Sequence, residues 1–233
     1  MHGSPGVADL FEKCRKYERA RKIRESGFYP YFKAFSYNGG NQPLVDGRHV
    51  VMVGSNNYLG LTHHPKVKAA ALAAVEKYGS SCSGSRFLNG TIDLHVTLEE
   101  RLARFMRKEA ALVYSTGFQT NQGVISSLVG KDDVVFCDRE NHASIIDGCR
   151  LSFGELKKYR HGDMEDLERL LQLTIERNEA SGGFLVVSDG VFSMTGRLPD
   201  LPRIVEIAGR YGARVMLDDA HAMRDNDVPT TVM

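Results

Sequence analysis

Residues 133–159 read DVVFCDRENHASIIDGCRLSFGELKKY. Asp133 to Cys137 form a short apolar run, which is typical of a buried strand. Ala143 to Ser152 place apolar residues at helical spacing, and Glu155 to Tyr159 follow as a second short strand. A strand, a helix and a strand in such close succession indicate an α/β arrangement.

The same alternation continues on both sides of this segment. Further strands are predicted at Ala111–Tyr114, Phe184–Val187 and Ala213–Leu217, and helices at 118–129, 164–176 and 201–211. Upstream, the pattern predicts helices over Ala8–Ser26, from Pro65 and over Thr91–Arg107, a strand at Val50–Val53 and an aromatic segment over residues 29–37. The prediction is an α/β fold with a mostly parallel sheet flanked by helices on both faces.

The composition narrows the classes of partner. The chain has 30 Lys and Arg against 29 Asp and Glu, so it gives no electrostatic reason to expect nucleic acid or an anionic membrane. It lacks an apolar run of the ~20 residues that span a bilayer, and residues 1–9 lack the core of a signal peptide, so a cytoplasmic location is expected. The four cysteines show no C-x-x-C spacing, which favours buried free thiols over disulfides or a metal site.

Polar and small residues follow several of the predicted strands, where parallel sheets bind ligands. Ser115 to Asn121 could expose backbone N–H groups at a helix start as an anion site, although any tight turn can carry such residues. His142 begins a helix, where it could stack on a flat ring or simply cap the helix. Asp218, three residues before His221, could bind a metal or hold a protonated heterocyclic nitrogen, and a third metal ligand at helical spacing is lacking.

These turns, with Ser193 after another strand, make one combined set. A phosphate cradle, a ring-stacking His, a Ser, and an Asp with a second His fit a planar, phosphorylated, nitrogen-containing cofactor. They fit a metal or a dinucleotide less well, because the glycine spacings of nucleotide-binding loops are missing.

Six motifs in order carry a resemblance to a known family. From about Pro30 to Ala222 the chain resembles the α-oxoamine synthases, which are fold-type I pyridoxal-phosphate (PLP) enzymes. The motifs are Asn57–Leu61, Gly84–Thr91 with His95 and Leu98-Glu99, Ser115–Asn121, Asn141–Ser144, Val191–Met194 and Asp218–His221.

The resemblance implies PLP as cofactor and assigns residues to it. Gly117 and Phe118 would lie at the phosphate, and His142 would stack on the pyridine ring and help hold the amino-acid carboxylate. Asp218 would pair with the pyridine nitrogen and His221 with the phenolic oxygen. Ser193 would also contact the cofactor, whereas Asp189 stands where relatives often have Glu. The catalytic residues by this resemblance are His142, Asp218 and His221, with no metal.

The implied reaction joins an amino acid to an acyl-CoA and releases CoA and CO₂, in a homodimer with sites at the subunit interface. The loop Gly84–Thr91 is most similar to that of bacterial serine palmitoyltransferases, which use serine and give a 3-keto amine in sphingolipid synthesis. The alternative is 8-amino-7-oxononanoate synthase, which uses alanine and a pimeloyl thioester in biotin synthesis.

The expected organisation is an N-terminal helix and aromatic segment (1–40), a partial PLP-binding large domain (41–222) and a divergent tail (223–233). The family's PLP-anchoring lysine and its C-terminal small domain lie beyond the matching part. We therefore expect either an incomplete copy of a PLP-dependent acyltransferase, inactive alone, or a non-catalytic fragment that at most pairs with an intact subunit.

Overall fold

The computed structural model describes residues 9–36, 41–177 and 181–222. The predicted helix start at Ala8, the aromatic Tyr37 and the tail 223–233 therefore lie outside the described residues. The chain divides into two compact units, Met1–Thr91 and Ile92–Met233. The bounds predicted for the PLP-binding domain, 41–222, stay a prediction.

Among its described residues, the first unit contains two short helices, one longer helix and a small hairpin. Its elements are α1 (Glu12–Arg15), α2 (Arg19–Glu25), β1 (Leu44–Val45), β2 (Arg48–His49), a 3₁₀ turn (Leu61–His63) and α3 (Pro65–Tyr78). The single helix predicted over Ala8–Ser26 is wrong, because the chain forms two short helices there instead. The apolar side chains of Leu10, Phe11 and Tyr17 are exposed, so this stretch lacks the packing that stabilises a long amphipathic helix.

The strand predicted at Val50–Val53 is also wrong. The hairpin strands lie just before it, around a tight turn in which Asp46 and Gly47 both have positive φ. Val50 N–H donates to the carbonyl of Pro43 at 3.0 Å, but proline has no N–H with which to return the bond. Regular pairing therefore stops after His49.

The second unit is a four-stranded parallel sheet with helices on both faces, which confirms the predicted fold class. Its strands are β3 (Val134–Asp138), β4 (Glu155–Tyr159), β5 (Phe184–Asp189) and β6 (Arg214–Asp218), in the order β4-β3-β5-β6. Its helices are α4 (Asp93–Phe105), α5 (Gly117–Leu128), α6 (Ala143–Leu151), α7 (Met164–Glu176) and α8 (Leu201–Arg210).

The strand predicted at Ala111–Tyr114 is wrong. This segment has no strand pairing with the described residues, and Val113 N–H instead donates to Glu99 Oε1 of α4 at 2.9 Å. The Glu99 carboxylate thus accepts the Val113 N–H that a carbonyl of a neighbouring strand would otherwise accept.

Both faces of the sheet are buried, which explains why β3 and β5 are apolar without alternation. Val134 and Phe136 point into one core with α7 and α8, and Val135 and Cys137 into a second core with α5 and α6. The chain leaves β3 toward β4 on one side and returns to β5 on the other. This reversal leaves a crevice beyond the carboxyl ends of β3 and β5, where ligands of such sheets bind.

Candidate active site

A cavity of about 120 Å³ lies in the second unit at the carboxyl edge of the sheet. All six residues predicted as cofactor contacts line it, so the structure brings them together, and their roles stay predictions. The lining residues are Gly117, Phe118, Asn121, His142, Ser144, Asp189, Ser193, Asp218, Ala220 and His221. Ser193 and His221 are exposed at the cavity, whereas Asn121, Ser144 and Asp189 are buried.

Helix α5 begins at the cavity with Gly117 and Phe118. Thr116 caps it, since its Oγ1 accepts the N–H of Gln119 at 3.1 Å. The first N–H groups of a helix have no intrahelical acceptor and lie at the positive end of its dipole. A Cβ added to Gly117 would meet nothing within 4 Å, so there is open space beside this helix end. The helix start therefore fits a phosphate group.

His142 both caps helix α6 and lines the cavity, so the two interpretations of this residue are compatible. The His142 Nδ1 accepts the backbone N–H of Ser144 at 3.2 Å, and the backbone N–H of His142 donates to Asp189 Oδ2 at 3.0 Å. Phe118 lies edge-on to the imidazole with ring centroids 6.2 Å apart. These contacts fix both the backbone and the imidazole ring of His142 beside the cavity.

Asn141 connects the loop before His142 to strand β5. Its Nδ2 donates to the carbonyl of Val187 at 2.8 Å, and its Oδ1 accepts the N–H of Asp189 at 3.0 Å. The last backbone pair of β3 with β5 is Cys137 with Val187. The side-chain amide therefore continues the ladder one step beyond the backbone of β3.

Two carboxylates lie side by side at the ends of neighbouring strands. Asp189 is the last residue of β5 and is in register with Asp218, the last residue of β6. Burial, and then the negative charge of Asp218, raise the pKa of Asp189 to about 7. Burial and the same charge also raise the pKa of Asp219. A cation at the cavity, such as a protonated ring nitrogen, would favour the charged forms of these carboxyl groups.

Asp218 is held in place by two donors. Asn121 Nδ2 donates to its Oδ2 at 2.7 Å, and the N–H of Ala220 donates to its Oδ1 at 3.0 Å. Oxygens of a carboxylate accept more than one hydrogen bond each, so Asp218 can still receive a donor from the cavity. An orientation fixed in this way suits a carboxylate that pairs with one ring nitrogen.

The loop after β5 places Ser193 at the cavity. Phe192 N–H donates to the carbonyl of Arg197 at 2.9 Å, and Phe192 is buried with its ring edge-on to His161 at 4.5 Å between centroids. His161 in turn lies 3.0 Å from Asp138 Oδ1. Ser193 is thus carried by a loop that is anchored on the end of β3.

Asn121 and Ser144 were not predicted as individual site residues from the sequence. Asn121 follows Gly117 by four positions, which places both on one side of α5. A polar residue one helical turn beyond a predicted anion site was a usable signal. The buried position of Ser144 depends on the packing of α5 against α6 and carried no such signal.

Within the described ranges 9–36, 41–177 and 181–222, no helix is long and apolar enough to cross a bilayer. The same residues contain no cluster of three or more His, Cys, Asp or Glu side chains that could hold a metal ion.

Residues 48–223 match the profile of the family described as aminotransferase class I and II. The serine palmitoyltransferase of Bacteriovorax stolpii is 48% identical over 220 residues, which cover 94% of this chain and 52% of that protein. The 8-amino-7-oxononanoate synthase of Geobacter sulfurreducens is 49% identical over 201 residues, which cover 86% of this chain and 50% of that protein.

Solved structures of serine palmitoyltransferases share the fold. The enzyme from Sphingomonas wittichii superposes with a TM-score of 0.83 at 37% identity, covering 90% of this chain and 52% of that one. The enzyme from S. paucimobilis, solved with bound PLP–myriocin aldimine, gives a TM-score of 0.83 at 35% identity, with the same coverage of 90% and 52%. The chain spans about half the length of the curated relatives it matches.

Proposed function

The chain belongs to the aminotransferase class I and II family, and from this premise we propose that it forms the cofactor-binding part of an α-oxoamine synthase. The cofactor is pyridoxal 5′-phosphate. The proposed reaction condenses an amino acid, serine in the first instance, with an acyl-CoA and releases CoA and CO₂. The observation that carries the proposal is the single cavity that joins the start of α5, His142 and Asp218.

Each group around the cavity has a task that its chemistry suits. The N–H groups of Gly117 and Phe118 at the helix start would bind the phosphate. His142 would lie against one face of the pyridine ring, and Asp218 would accept the hydrogen of the ring nitrogen and keep that nitrogen protonated. When bound, PLP supplies an electron sink for the α-carbon of the amino acid.

Ser193 and His221 lie at the exposed side of the cavity. A hydroxyl and an imidazole there can donate hydrogen bonds to oxygen atoms of the bound cofactor, and we assign His221 to the phenolic oxygen. The catalytic set that we propose is therefore His142, Asp218 and His221.

Serine is the favoured amino acid, because the proteins named serine palmitoyltransferase match 92% or more of the chain at 44–48% identity. A second candidate is the alanine and pimeloyl thioester reaction of 8-amino-7-oxononanoate synthase. The 49% identity to the Geobacter sulfurreducens enzyme favours it.

We propose that the enzyme acts as a homodimer. Several large apolar side chains of the first unit are more than 80% exposed, among them Phe28, Phe32, Val53 and Phe87. A second subunit would remove this surface from water. Sedimentation of the purified chain at several concentrations measures its association.

Stable cofactor conjugates test the proposal directly. Phosphopyridoxyl-serine and phosphopyridoxyl-alanine are reduced, non-reacting compounds whose binding does not depend on a covalent link to the protein. Equilibrium dialysis against the purified chain measures the dissociation constant of each. We expect both to bind, and the serine conjugate to bind more tightly.

Matched variants show whether binding occurs in the cavity. Asp218→Asn removes the charge opposite the ring nitrogen, whereas Asp147→Asn makes the same change on the surface of α6, where Asp147 pairs with Arg150. We expect Asp218→Asn to weaken both conjugates at least tenfold, because a charge-assisted hydrogen bond is lost, and Asp147→Asn to leave them unchanged. Tighter binding of the alanine conjugate would favour the second candidate, and equal loss in both variants would contradict the site.

A further inference from the structure

Asn121 lies between the two groups that we propose to hold the pyridine ring. Its Nδ2 donates to Asp218 Oδ2 at 2.7 Å and to Ser144 Oγ at 2.9 Å. A carboxylate can only accept, so the amide nitrogen and not the amide oxygen must face Asp218. An amide nitrogen carries two hydrogens, and these two bonds use both.

The next step of this chain of hydrogen bonds has a fixed direction. A backbone N–H can only donate, so the 3.2 Å bond from Ser144 N–H makes His142 Nδ1 an acceptor. Ser144 Oγ also lies 2.7 Å from Nδ1. Since Nδ1 is an acceptor and has no hydrogen to give, the Ser144 hydroxyl is the donor of this bond.

We infer that Asn121, acting through Ser144, favours the tautomer of His142 that carries its proton on Nε2, while it also orients the Asp218 carboxylate. Asn121 and Ser144 are then positioning residues, because they act through Asp218 and His142. Asn121 and Ser144 are buried, with 5% and 1% of each residue exposed, so the bond between them is shielded from water.

The role of this arrangement rests on the proposed function. A neutral imidazole can lie against a protonated pyridine ring without placing two positive charges side by side. It also retains one N–H, on Nε2, that can donate to an anion such as the carboxylate of an amino acid. The Asn121 amide thus acts on both groups around the pyridine ring: it favours one tautomer of His142 at the ring face and orients Asp218 at the ring nitrogen.

Substitutions can break the chain of bonds at two points. Asn121→Asp replaces the donor by an oxygen that faces the Asp218 carboxylate and draws the Ser144 hydroxyl away from His142. Ser144→Ala removes the hydroxyl without adding a buried charge, and it serves if the first variant does not fold. Gln122→Glu is the matched control, because it makes the same amide-to-carboxylate change at the next position of α5, outside the cavity lining.

Nitrogen NMR of the full chain, labelled with ¹⁵N-histidine and free of PLP, reads the tautomer. The chain has 8 histidines, and His142→Gln assigns the signal of interest. We expect a pyridine-like Nδ1 and a pyrrole-like Nε2 in the parent chain and in Gln122→Glu. Asn121→Asp and Ser144→Ala remove the 2.7 Å side-chain bond and leave the longer 3.2 Å bond from Ser144 N–H, so both nitrogens should shift partway toward a mixture of tautomers. A pyrrole-like Nδ1 in the parent, or an unchanged tautomer in both variants, would overturn the inference.

Affinity for phosphopyridoxyl-serine gives the second readout. Asn121→Asp should weaken it about tenfold or more relative to Gln122→Glu, since it disturbs the orientation of Asp218. Unchanged affinity would refute the orienting role of Asn121. If the parent chain binds no conjugate while the NMR result holds, the proposed function fails and the inferred tautomer stands.

Discussion

Asp189 makes the stability of the chain depend on pH in a direction opposite to that of most carboxylates. Burial, followed by the charge of Asp218, raises its pKa from 3.8 to about 7. Below pH 3.8 the folded and the unfolded chain both hold the proton. Between that value and about pH 7 only the folded chain holds it, so stability falls as pH rises through this window and the loss is complete above it.

The size of this loss follows from the width of the window. Each pH unit in which the folded state holds one more proton than the unfolded state costs about 1.4 kcal/mol. Between pH 5 and pH 7 Asp189 should therefore cost about 2 kcal/mol of unfolding free energy, because it is already half ionised at pH 7. Asp189→Asn stays neutral at every pH, and its amide oxygen can still accept the N–H of His142. The variant should become progressively more stable than the parent as pH rises.

Urea unfolding without cofactor, followed by circular dichroism at several values from about pH 5 to pH 8, measures the difference between the two chains. Taking the difference cancels the other titrating groups that both chains share. Asp147→Asn shows what the same substitution does at a half-buried position of α6 where the aspartate pairs with Arg150. A difference between parent and Asp189→Asn that stays constant over this range would refute the reasoning.

Three further results are expected. Phe136→Ala should lower the unfolding free energy by about 3–5 kcal/mol in urea titrations, because the ring is fully buried, whereas Phe153→Ala, at a side chain 84% exposed, should change it by less than about 0.5 kcal/mol. Buried Cys137 and Cys149 should react with a thiol reagent only after unfolding, so only the exposed Cys14 and Cys82 should be modified quickly in the native chain. Rapid modification of all four thiols would contradict this burial. Burial opposes ionisation of Asp166, but hydrogen bonds from Arg160 N–H and Arg169 lower its pKa, so this residue should contribute stability that is lost as pH falls below 3.8. Asp166→Asn should abolish that part of the acid unfolding. An unchanged loss of stability at acid pH in the variant would contradict this assignment.

The sequence predicted the second unit well because both faces of its sheet are buried. Four strands and the helices between them appear within a residue or two of their expected bounds. Apolar periodicity reports burial, and here burial and strand pairing coincide. Val50–Val53 and Ala111–Tyr114 are apolar without being buried, since Val53 is 94% and Leu112 65% exposed. Pro43 and Glu99 there supply acceptors that a strand neighbour would otherwise provide.

The site was predictable as far as residue type and strand ends define it. His142, Asp218 and His221 follow strands or begin helices, and parallel strands bring such positions to one edge. The bonds from Asn121 to Ser144 and Asp218 join positions 23 and 97 residues apart. Local pattern holds no information on such contacts, so the inner part of the network required the structure.

The side-chain amide of Asn141 also sets a condition for transplanting this site by design. It occupies the place of a peptide group in the β3–β5 ladder, which lets the backbone turn away early and present the following histidine. A designer who grafts only the histidine onto another βαβ unit would leave the last groups of the neighbouring strand without partners. The portable unit is therefore the Asn-His pair together with an acidic residue that ends the adjacent strand.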